Sequence, residues 1–190
     1  MKRIAIFASG SGTNAQNIIN FFSDDSQAEV SLLLSNNANA FALERAKALG
    51  VETVVFNKEQ LLSPSGVLKT LQKFSIDFIV LAGFLWKIPK ILIDPFEGKI
   101  VNIHPALLPK FGGKGMFGMN VHAAVLKSDE KKSGITIHYV NNQYDKGVFI
   151  FQAECSVLIQ DTPESLADKI HALEIKYFPK VIKNLLEKNE

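Results

Sequence analysis

The sequence predicts a single α/β domain spanning residues 1–190, with a mostly parallel twisted sheet covered by helices on both faces. Apolar runs of strand length alternate with segments of helical period through the first half of the chain. Several of these runs are apolar at consecutive positions, as expected of parallel strands buried on both faces. A glycine-containing turn joins the first run to the first helical segment. This combination is typical of Rossmann-like folds.

Five buried strands are predicted in the first half of the chain: Arg3–Ala8, Val30–Ser35, Val51–Phe56, Ile76–Ala82 and Lys99–Ile103. The segments between them that have helical spacing are Asn14–Phe22, Ala40–Leu49 and roughly Val67–Phe74. Thr13 or Asn14 is expected to cap the first helix, and Asn39 the second, because these side chains accept hydrogen bonds from free helix N–H groups.

The second half follows a different pattern. Glycines at 112, 113, 115 and 118 predict a long irregular loop over residues 106–119, followed by a short helix from Asn120 to Leu126. The runs Ile135–Val140 and Val148–Glu154 predict an appended antiparallel pair of strands. The sequence Asp161-Thr162-Pro163-Glu164 predicts the start of a helix that reaches Tyr177, is disturbed near Pro179, and continues as a last piece to Leu186.

Composition excludes several classes of protein. With 47% hydrophobic and 21% charged residues, the chain can bury a large core, which excludes a disordered protein. A net charge of +2 is too small to indicate a nucleic-acid partner. The single cysteine, Cys155, excludes an internal disulfide and suits a reducing compartment. Since no apolar run is long enough to cross a bilayer and the N-terminus does not resemble a signal peptide, we expect a soluble cytoplasmic protein.

The turn Ser9–Ala15 has the features of an anion site. Its glycines leave backbone N–H groups uncovered, a helix N-terminus follows, and Ser11, Thr13 and Asn14 add side-chain donors. The spacing Gly10-x-Gly12-x-x-Ala15 also fits the dinucleotide fingerprint. The second predicted strand, however, ends in Ser-Asn-Asn at 35–37 and lacks the acid that would hold a ribose. We therefore favour a phosphomonoester, and a turn that binds nothing remains the alternative.

The end of the fifth strand carries Asn102-Ile103-His104-Pro105. Alternation along a strand places Asn102 and His104 on the same face, and Pro105 ends the strand. At the carboxyl edge of an open α/β sheet, such a pair can stabilise an oxyanion and move a proton, as acyl transfer requires. The alternative is a strand-end histidine whose hydrogen bonds are satisfied by the backbone.

A polar segment at 141–147 supplies a carboxylate, Asp145. If it lay beside His104, it would raise the pKa of the imidazole and hold the ring in its charged form. The sequence alone does not bring these two residues together. A solvated aspartate in a turn before a glycine is equally consistent with the pattern.

Four motifs together resemble the formyltransferase family over nearly the whole chain: Gly-Ser-Gly-Thr-Asn at 10–14, Leu-Ala-Gly-Phe at 81–84, Asn-Ile-His-Pro-Ala-Leu-Leu-Pro at 102–109, and Asp145-x-Gly147. Their order and the chain length are most similar to members that act on glycinamide ribonucleotide in purine biosynthesis. The resemblance implies transfer of a formyl group from 10-formyltetrahydrofolate to the amine of that nucleotide. It also implies Asn102, His104 and Asp145 as the catalytic residues, and no metal.

The resemblance also implies the binding residues. The nucleotide phosphate would lie on Gly12, Thr13 and Asn14, and Glu174 would hold the rest of the nucleotide, although spacing alone favours a solvated glutamate. The folate site would be formed by Leu85, Trp86, Lys87, Ile88, Asn102, Asn141, Asn142, Gln143, Tyr144 and Asp145. Residues 1–103 would then form a nucleotide-phosphate half, and residues 104–190 a folate-binding and catalytic half.

Some positions depart from the family pattern or have no clear assignment. Ala106 replaces a frequent serine, and residues 62–66 lack the arginine expected near the folate tail. The loop 111–119, with Met116, Phe117 and Met119 expected to be exposed, is either a mobile cover or an insertion without a role. For His122, at the start of a short helix near the loop, a surface or capping role is favoured over an approach to the site. We expect His138 either to reach the cleft or only to pack, without a catalytic role.

Other functions remain open at this point. The nearest are a formyltetrahydrofolate hydrolase and another formyl-folate transferase, although each would be expected to carry a further domain. A non-catalytic nucleotide-binding module is a more distant alternative. We expect small-molecule substrates and a monomer or homodimer.

Overall fold

The first strand is apolar on both faces because each face of the sheet packs against helices. In β1 (Lys2–Phe7), Ile4 and Ile6 belong to the core on one side of the sheet, and Ala5 and Phe7 to the core on the other. All four side chains are completely buried. Successive side chains of a strand point to opposite faces, so a strand in the middle of a two-sided sheet must be apolar throughout.

The computed structural model describes residues 1–188. The other strands among these residues are β2 (Ala28–Ser35), β3 (Glu52–Val55), β4 (Phe78–Leu81), β5 (Ile100–His104), β6 (Lys132–Tyr139) and β7 (Phe149–Ser156). Their order in the sheet is β3-β2-β1-β4-β5-β6-β7. The strands β1 to β5 run parallel, and β6 and β7 continue the sheet as antiparallel strands. The predicted fold class is confirmed.

Longer helices cover one face of the sheet: α1 (Thr13–Phe22), α2 (Phe41–Ala48), α6 (Met119–Lys127) and α7 (Pro163–Lys188). Shorter ones cover the other: α3 (Lys58–Leu62), α4 (Lys69–Lys73) and α5 (Lys90–Ile93). The prediction of one regular helix over 67–74 was wrong in its first part. A π-helical turn, Pro64–Leu68, precedes α4, with Gly66 at the non-helical dihedral angles φ −93° and ψ −118°.

The predicted caps of α1 and α2 were also wrong. Gly12 occupies the cap position of α1 with φ 75°, and Ala40 that of α2, and neither helix has a side-chain cap. A Cβ added at Gly12 would lie 2.5 Å from Cα of Ala42, so a glycine is needed where the turn meets α2. Because no side chain caps α1, the N–H groups at its start remain available to an anion.

Helix α7 continues through Pro179, contrary to the predicted disturbance. A proline inside a helix removes one backbone hydrogen bond and destabilises the helix. Here the buried residues Phe178, Val181 and Ile182 pack on the sheet around Pro179. Packing of an apolar face provides most of the stability of a helix in a protein, so tertiary contacts outweigh the local cost.

The strand order determines where the loops meet. The carboxyl ends of β1, β4 and β5 lie at the same edge of the sheet, with β4 between the other two. The turn after β1 and the end of β5 are therefore two strand spacings apart, about 10 Å.

Within residues 1–188, none of the helices combines the length and apolar character that a membrane span requires.

Candidate active site

A cavity of about 650 Å³ opens at this edge of the sheet. Its walls come from the turn after β1, the segment after β4, the end of β5, the loop before α6, the turn after β6, and one face of α7. A volume of this size is in the range of small-molecule sites. The edge of a parallel sheet at the carboxyl ends of its strands is also where α/β proteins bind their ligands.

Asn102 is held in place by His138, which lies beside it on the neighbouring strand. The register of β5 and β6 places the two residues opposite each other, with Asn102 Nδ2 3.2 Å from His138 Nε2. The other ring nitrogen of His138 lies 2.9 Å from the carbonyl oxygen of Tyr139. Since a carbonyl only accepts, Nδ1 carries the hydrogen and Nε2 accepts from the Asn102 amide. The second amide hydrogen of Asn102 then remains free for a ligand.

His104 and Asp145 are brought together, as the resemblance implies. Nδ1 of His104 is 3.7 Å from Oδ2 of Asp145, and only 4% of His104 is exposed. The expected rise in the pKa of His104 was wrong, because burial lowers this pKa below its ordinary value and outweighs the opposing effect of Asp145. The ring is therefore neutral near pH 7. Its Nε2 donates to the carbonyl oxygen of Phe111 over 2.7 Å.

The backbone turns sharply to place Asp145. This residue has φ 53°, and its carboxylate accepts a hydrogen bond of 2.8 Å from the N–H of Gly113 and lies 3.5 Å from Nε2 of His138. Burial alone would raise the pKa of Asp145, but His138, which can donate to the carboxylate only in its charged form, the N–H of Gly113 and His104 lower it below its ordinary value. Gly147 is required nearby, since an added Cβ would lie 1.5 Å from the carbonyl oxygen of Tyr139.

Residues outside the glycine turn hold it in position. Ser9 Oγ donates to Oδ1 of Asn36 over 2.6 Å and accepts from the N–H of Leu85 over 3.1 Å. Arg45, which the sequence did not single out, donates from Nε to the carbonyl oxygen of Ser11 over 3.0 Å. These contacts leave the start of α1 open to the cavity and place a guanidinium charge beside it.

Glu174 lies inside the site, which excludes the solvated glutamate that spacing alone favoured. Only 6% of this residue is exposed, and its carboxylate accepts a hydrogen bond of 2.8 Å from Asn14 Nδ2. Burial raises the pKa of Glu174 above its ordinary value, although the bond from Asn14 opposes this. Gly12, Thr13 and Asn14 line the cavity together with Glu174.

The proposed folate residues surround another part of the cavity wall. The lining residues among them are Leu85, Trp86, Lys87, Ile88, Asn102, Asn141, Gln143, Tyr144 and Asp145. Asn142 is not among the described residues that line the cavity. The half-buried Trp86 packs edge-on against Phe56 and Phe84, which hold its ring beside the cavity. An apolar wall with a few polar groups is suited to a flat ring system.

Two further histidines line the cavity: for His138 this is one of the two positions expected, and for His122 it is the less favoured one. His122 is buried in α6 and lines the cavity, so neither surface exposure nor capping describes it. His138 holds Asn102 and contacts Asp145. A known register of β5 and β6 would have identified His138, because it pairs directly with Asn102. In the loop, Phe117 and Met119 are exposed as expected, whereas Met116 packs against the core.

Within residues 1–188, no group of three or more His, Cys, Asp or Glu side chains has an arrangement suited to a metal ion. Most buried side-chain polar atoms of the cavity wall have a hydrogen-bond partner in the described part of the chain. The exceptions among buried side-chain atoms of the cavity wall are Asn14 Oδ1 and His122 Nδ1, which have no hydrogen-bond partner in the described part of the chain.

Comparison with known proteins places this site in a family. The sequence model of the family described as formyl transferase matches residues 2–182. A chloroplastic phosphoribosylglycinamide formyltransferase of Arabidopsis thaliana is 42% identical over 98% of this chain, which spans 66% of the length of that relative. The phosphoribosylglycinamide formyltransferase of Bacillus subtilis is 34% identical, and the match covers 100% of this chain and 97% of the relative.

Solved structures agree with the sequence comparison. The crystal structure of phosphoribosylglycinamide formyltransferase from Bacillus halodurans superposes with a TM-score of 0.88 at 37% identity, over 100% of this chain and 97% of that one. Family match, full-length similarity and shared fold agree with the geometry of the cavity. This chain belongs to the formyl transferase family.

Proposed function

We propose that this protein transfers the formyl group of 10-formyltetrahydrofolate to the amine of phosphoribosylglycinamide, a reaction of purine biosynthesis. The observation that carries the proposal is the convergence of Asn102, His104, His138 and Asp145 in a cavity whose wall also includes an open helix N-terminus. Relatives named for this activity match nearly the whole chain.

The nucleotide spans the distance between the turn after β1 and the end of β5. Its phosphate binds the N–H groups of Gly12, Thr13 and Asn14 at the start of α1, where the helix dipole favours an anion. Glu174 accepts hydrogen bonds from the sugar hydroxyls and remains aligned by Asn14. The separation of about 10 Å between the two strand ends is comparable to the length of a ribose phosphate with a short amide arm.

The chemistry requires stabilisation of an oxyanion. The amine attacks the formyl carbon, an N–C bond forms, and negative charge develops on the formyl oxygen. The free amide hydrogen of Asn102 and the Nε2 hydrogen of His104 donate to this oxygen. In the free protein His104 Nε2 donates to the Phe111 carbonyl, and a charged oxygen is a stronger acceptor that competes for the same hydrogen. Donors fixed in advance of the reaction are the most effective part of such sites.

Proton movement completes the transfer. The attacking amine must lose a proton, and N10 of the folate must gain one when its bond to the formyl carbon breaks. Nε2 of His104 keeps its hydrogen on the oxyanion, and Nδ1 faces Asp145 at 3.7 Å, so the neutral ring does not take up this proton. The carboxylate of Asp145, which also lines the cavity, accepts it from the attacking nitrogen. Asp145 then gives the proton to N10 as the bond between N10 and the formyl carbon breaks. The pterin lies against the wall formed by Leu85–Ile88, and backbone groups of residues 141–145 form hydrogen bonds with the polar edge of its ring.

A substrate-omission assay tests this proposal. The purified protein is mixed with 10-formyltetrahydrofolate in the presence and absence of phosphoribosylglycinamide, and tetrahydrofolate and formylated nucleotide are both measured. We expect equal amounts of the two products, formed only when the nucleotide is present. Tetrahydrofolate formed at the same rate without nucleotide would indicate a hydrolase. Binding of the nucleotide without any turnover would indicate a binding module.

A further inference from the structure

His122 is a buried histidine in the cavity wall to which the proposed reaction assigns no role. Only 3% of the residue is exposed, the residue lines the cavity, and Nδ1 has no hydrogen-bond partner among residues 1–188. Buried polar atoms in proteins are nearly always paired, because an unpaired one loses its hydration without compensation. A ring of this kind beside an open cavity therefore indicates a partner supplied by a ligand.

The neighbours of His122 identify the part of the cavity concerned. Burial lowers its pKa, and nearby His171 and His104 lower it further, so the ring is neutral. His171 precedes Glu174 by three residues on α7, which places both on one face of that helix. Helix α6, which carries His122, packs against α7. His122 thus lies between the catalytic histidine and the face of α7 that carries Glu174.

We propose that His122 binds the sugar–glycinamide part of the nucleotide, between its phosphate and its reacting amine. This inference rests on the proposed function. A neutral imidazole suits an uncharged hydroxyl or amide, both of which this part of the nucleotide carries, better than it suits the phosphate. Rotation of the ring about its Cβ–Cγ bond exchanges the places of nitrogen and carbon atoms, so the unpaired nitrogen can turn toward a bound ligand.

Substitution of His122 separates a binding role from a structural one. His122→Leu replaces the ring with an apolar side chain that has no nitrogen atoms. His122→Asn places an amide near the position of Nδ1, and His122→Gln places one near the position of Nε2. We expect His122→Leu to raise KM for phosphoribosylglycinamide about five- to tenfold, the value of one neutral hydrogen bond. KM for the formyl folate should stay within about twofold, and at least one amide variant should restore most of the loss. Met119→Leu, at an exposed position of the same helix, is the control.

Stability and direct binding complete the test. Because His122→Leu removes an unpaired buried nitrogen, the midpoint of thermal unfolding should not fall. Equal changes in KM for both substrates, or an unchanged KM for the nucleotide, would overturn the inference. The dissociation constant of the nucleotide, measured by calorimetry without folate, should rise by the same factor. This measurement tests His122 even if the protein proves inactive, in which case the proposed function alone fails.

Discussion

Asn14 and Glu174 are 160 positions apart, yet the side-chain amide of Asn14 donates a hydrogen bond of 2.8 Å to the carboxylate of Glu174. The two residues lie on α1 and α7, which pack side by side on the same face of the sheet. The last helix of the chain therefore positions the turn that follows its first strand. A second bond, from Asn17 Nδ2 to the carbonyl oxygen of Ile175, joins the same pair of helices.

The Asn14–Glu174 contact predicts a selective loss of nucleotide binding in Glu174→Gln. Glutamine keeps the volume and can still accept from Asn14, but it removes the charge that favours bonds from sugar hydroxyls. Hydrogen bonds to charged groups are worth about 1.5–3 kcal/mol, so we expect KM for the nucleotide to rise at least tenfold. KM for the formyl folate should change little. Steady-state kinetics with each substrate varied in turn measures both, and a joint rise of the two values would contradict the assignment.

The same substitution predicts a change in the pH dependence of stability. Burial raises the pKa of Glu174 above its ordinary value of 4.5. Between 4.5 and the raised pKa, the folded protein binds more protons than the unfolded chain, so the free energy of unfolding falls as pH rises through this window. Glu174→Gln removes this loss and should gain stability relative to the unmodified protein as pH rises. Urea unfolding at several pH values measures the difference, with Glu187→Gln, exposed on the same helix, as control.

Two glycines of the first turn should respond differently to the same substitution, a change to alanine. Gly12 has φ 75°, and an added Cβ would lie 2.5 Å from Ala42, whereas an added Cβ at Gly10 meets nothing within 4 Å. Strain and crowding together should cost Gly12→Ala about 1–3 kcal/mol of unfolding free energy. The shifted turn should also weaken binding of the nucleotide. Gly10→Ala should leave both properties nearly unchanged, and equal effects of the two variants would show that the turn tolerates a side chain.

Local patterns were sufficient to predict the sheet and the meeting of Asn102 and His104 at the end of β5. Strands apolar on both faces required helices on both sides, and alternation placed Asn102 and His104 together before Pro105. The boundaries that failed depend on distant contacts. α7 runs through Pro179 because residues around the proline pack on the sheet, and Gly12 replaces a side-chain cap because α2 lies against it.

The interactions of the site were harder to predict than its members. Asp145 was expected to hold His104 in its charged form, but burial of the ring lowers the pKa of His104 by more than Asp145 raises it. The position of His104 at the end of a strand does not reveal how deeply its side chain is buried. The contact of His138 with Asn102 was not predicted because it depends on the register of β5 and β6. The burial of Glu174 likewise follows from the packing of α7 against α1 and has no signal in the spacing of α7 itself.

The contact of His138 with Asn102 predicts that the two residues act as a unit. Asn102→Ala removes a proposed donor to the oxyanion and should lower kcat about 10²- to 10³-fold. His138→Phe leaves the Asn102 amide unoriented, and we expect a loss of about tenfold, largely restored in His138→Gln because glutamine can accept the same bond. The double variant should be little worse than Asn102→Ala alone. Losses that multiply in the double variant would show independent roles.

The pairing of His104 with Asp145 predicts a measurable change in the titration of the imidazole. The carboxylate favours the charged ring, so Asp145→Asn should lower the pKa of His104 further below 6.5, as followed by NMR. Loss of the carboxylate proposed to carry the proton should lower kcat about 10²- to 10⁴-fold, with the dissociation constant of the nucleotide nearly unchanged. Asp129→Asn, at an exposed position outside the cavity lining, should alter neither quantity. An unchanged His104 titration in Asp145→Asn would mean that the 3.7 Å contact has no electrostatic effect on the ring. An unchanged kcat would mean that the proton is carried by another group.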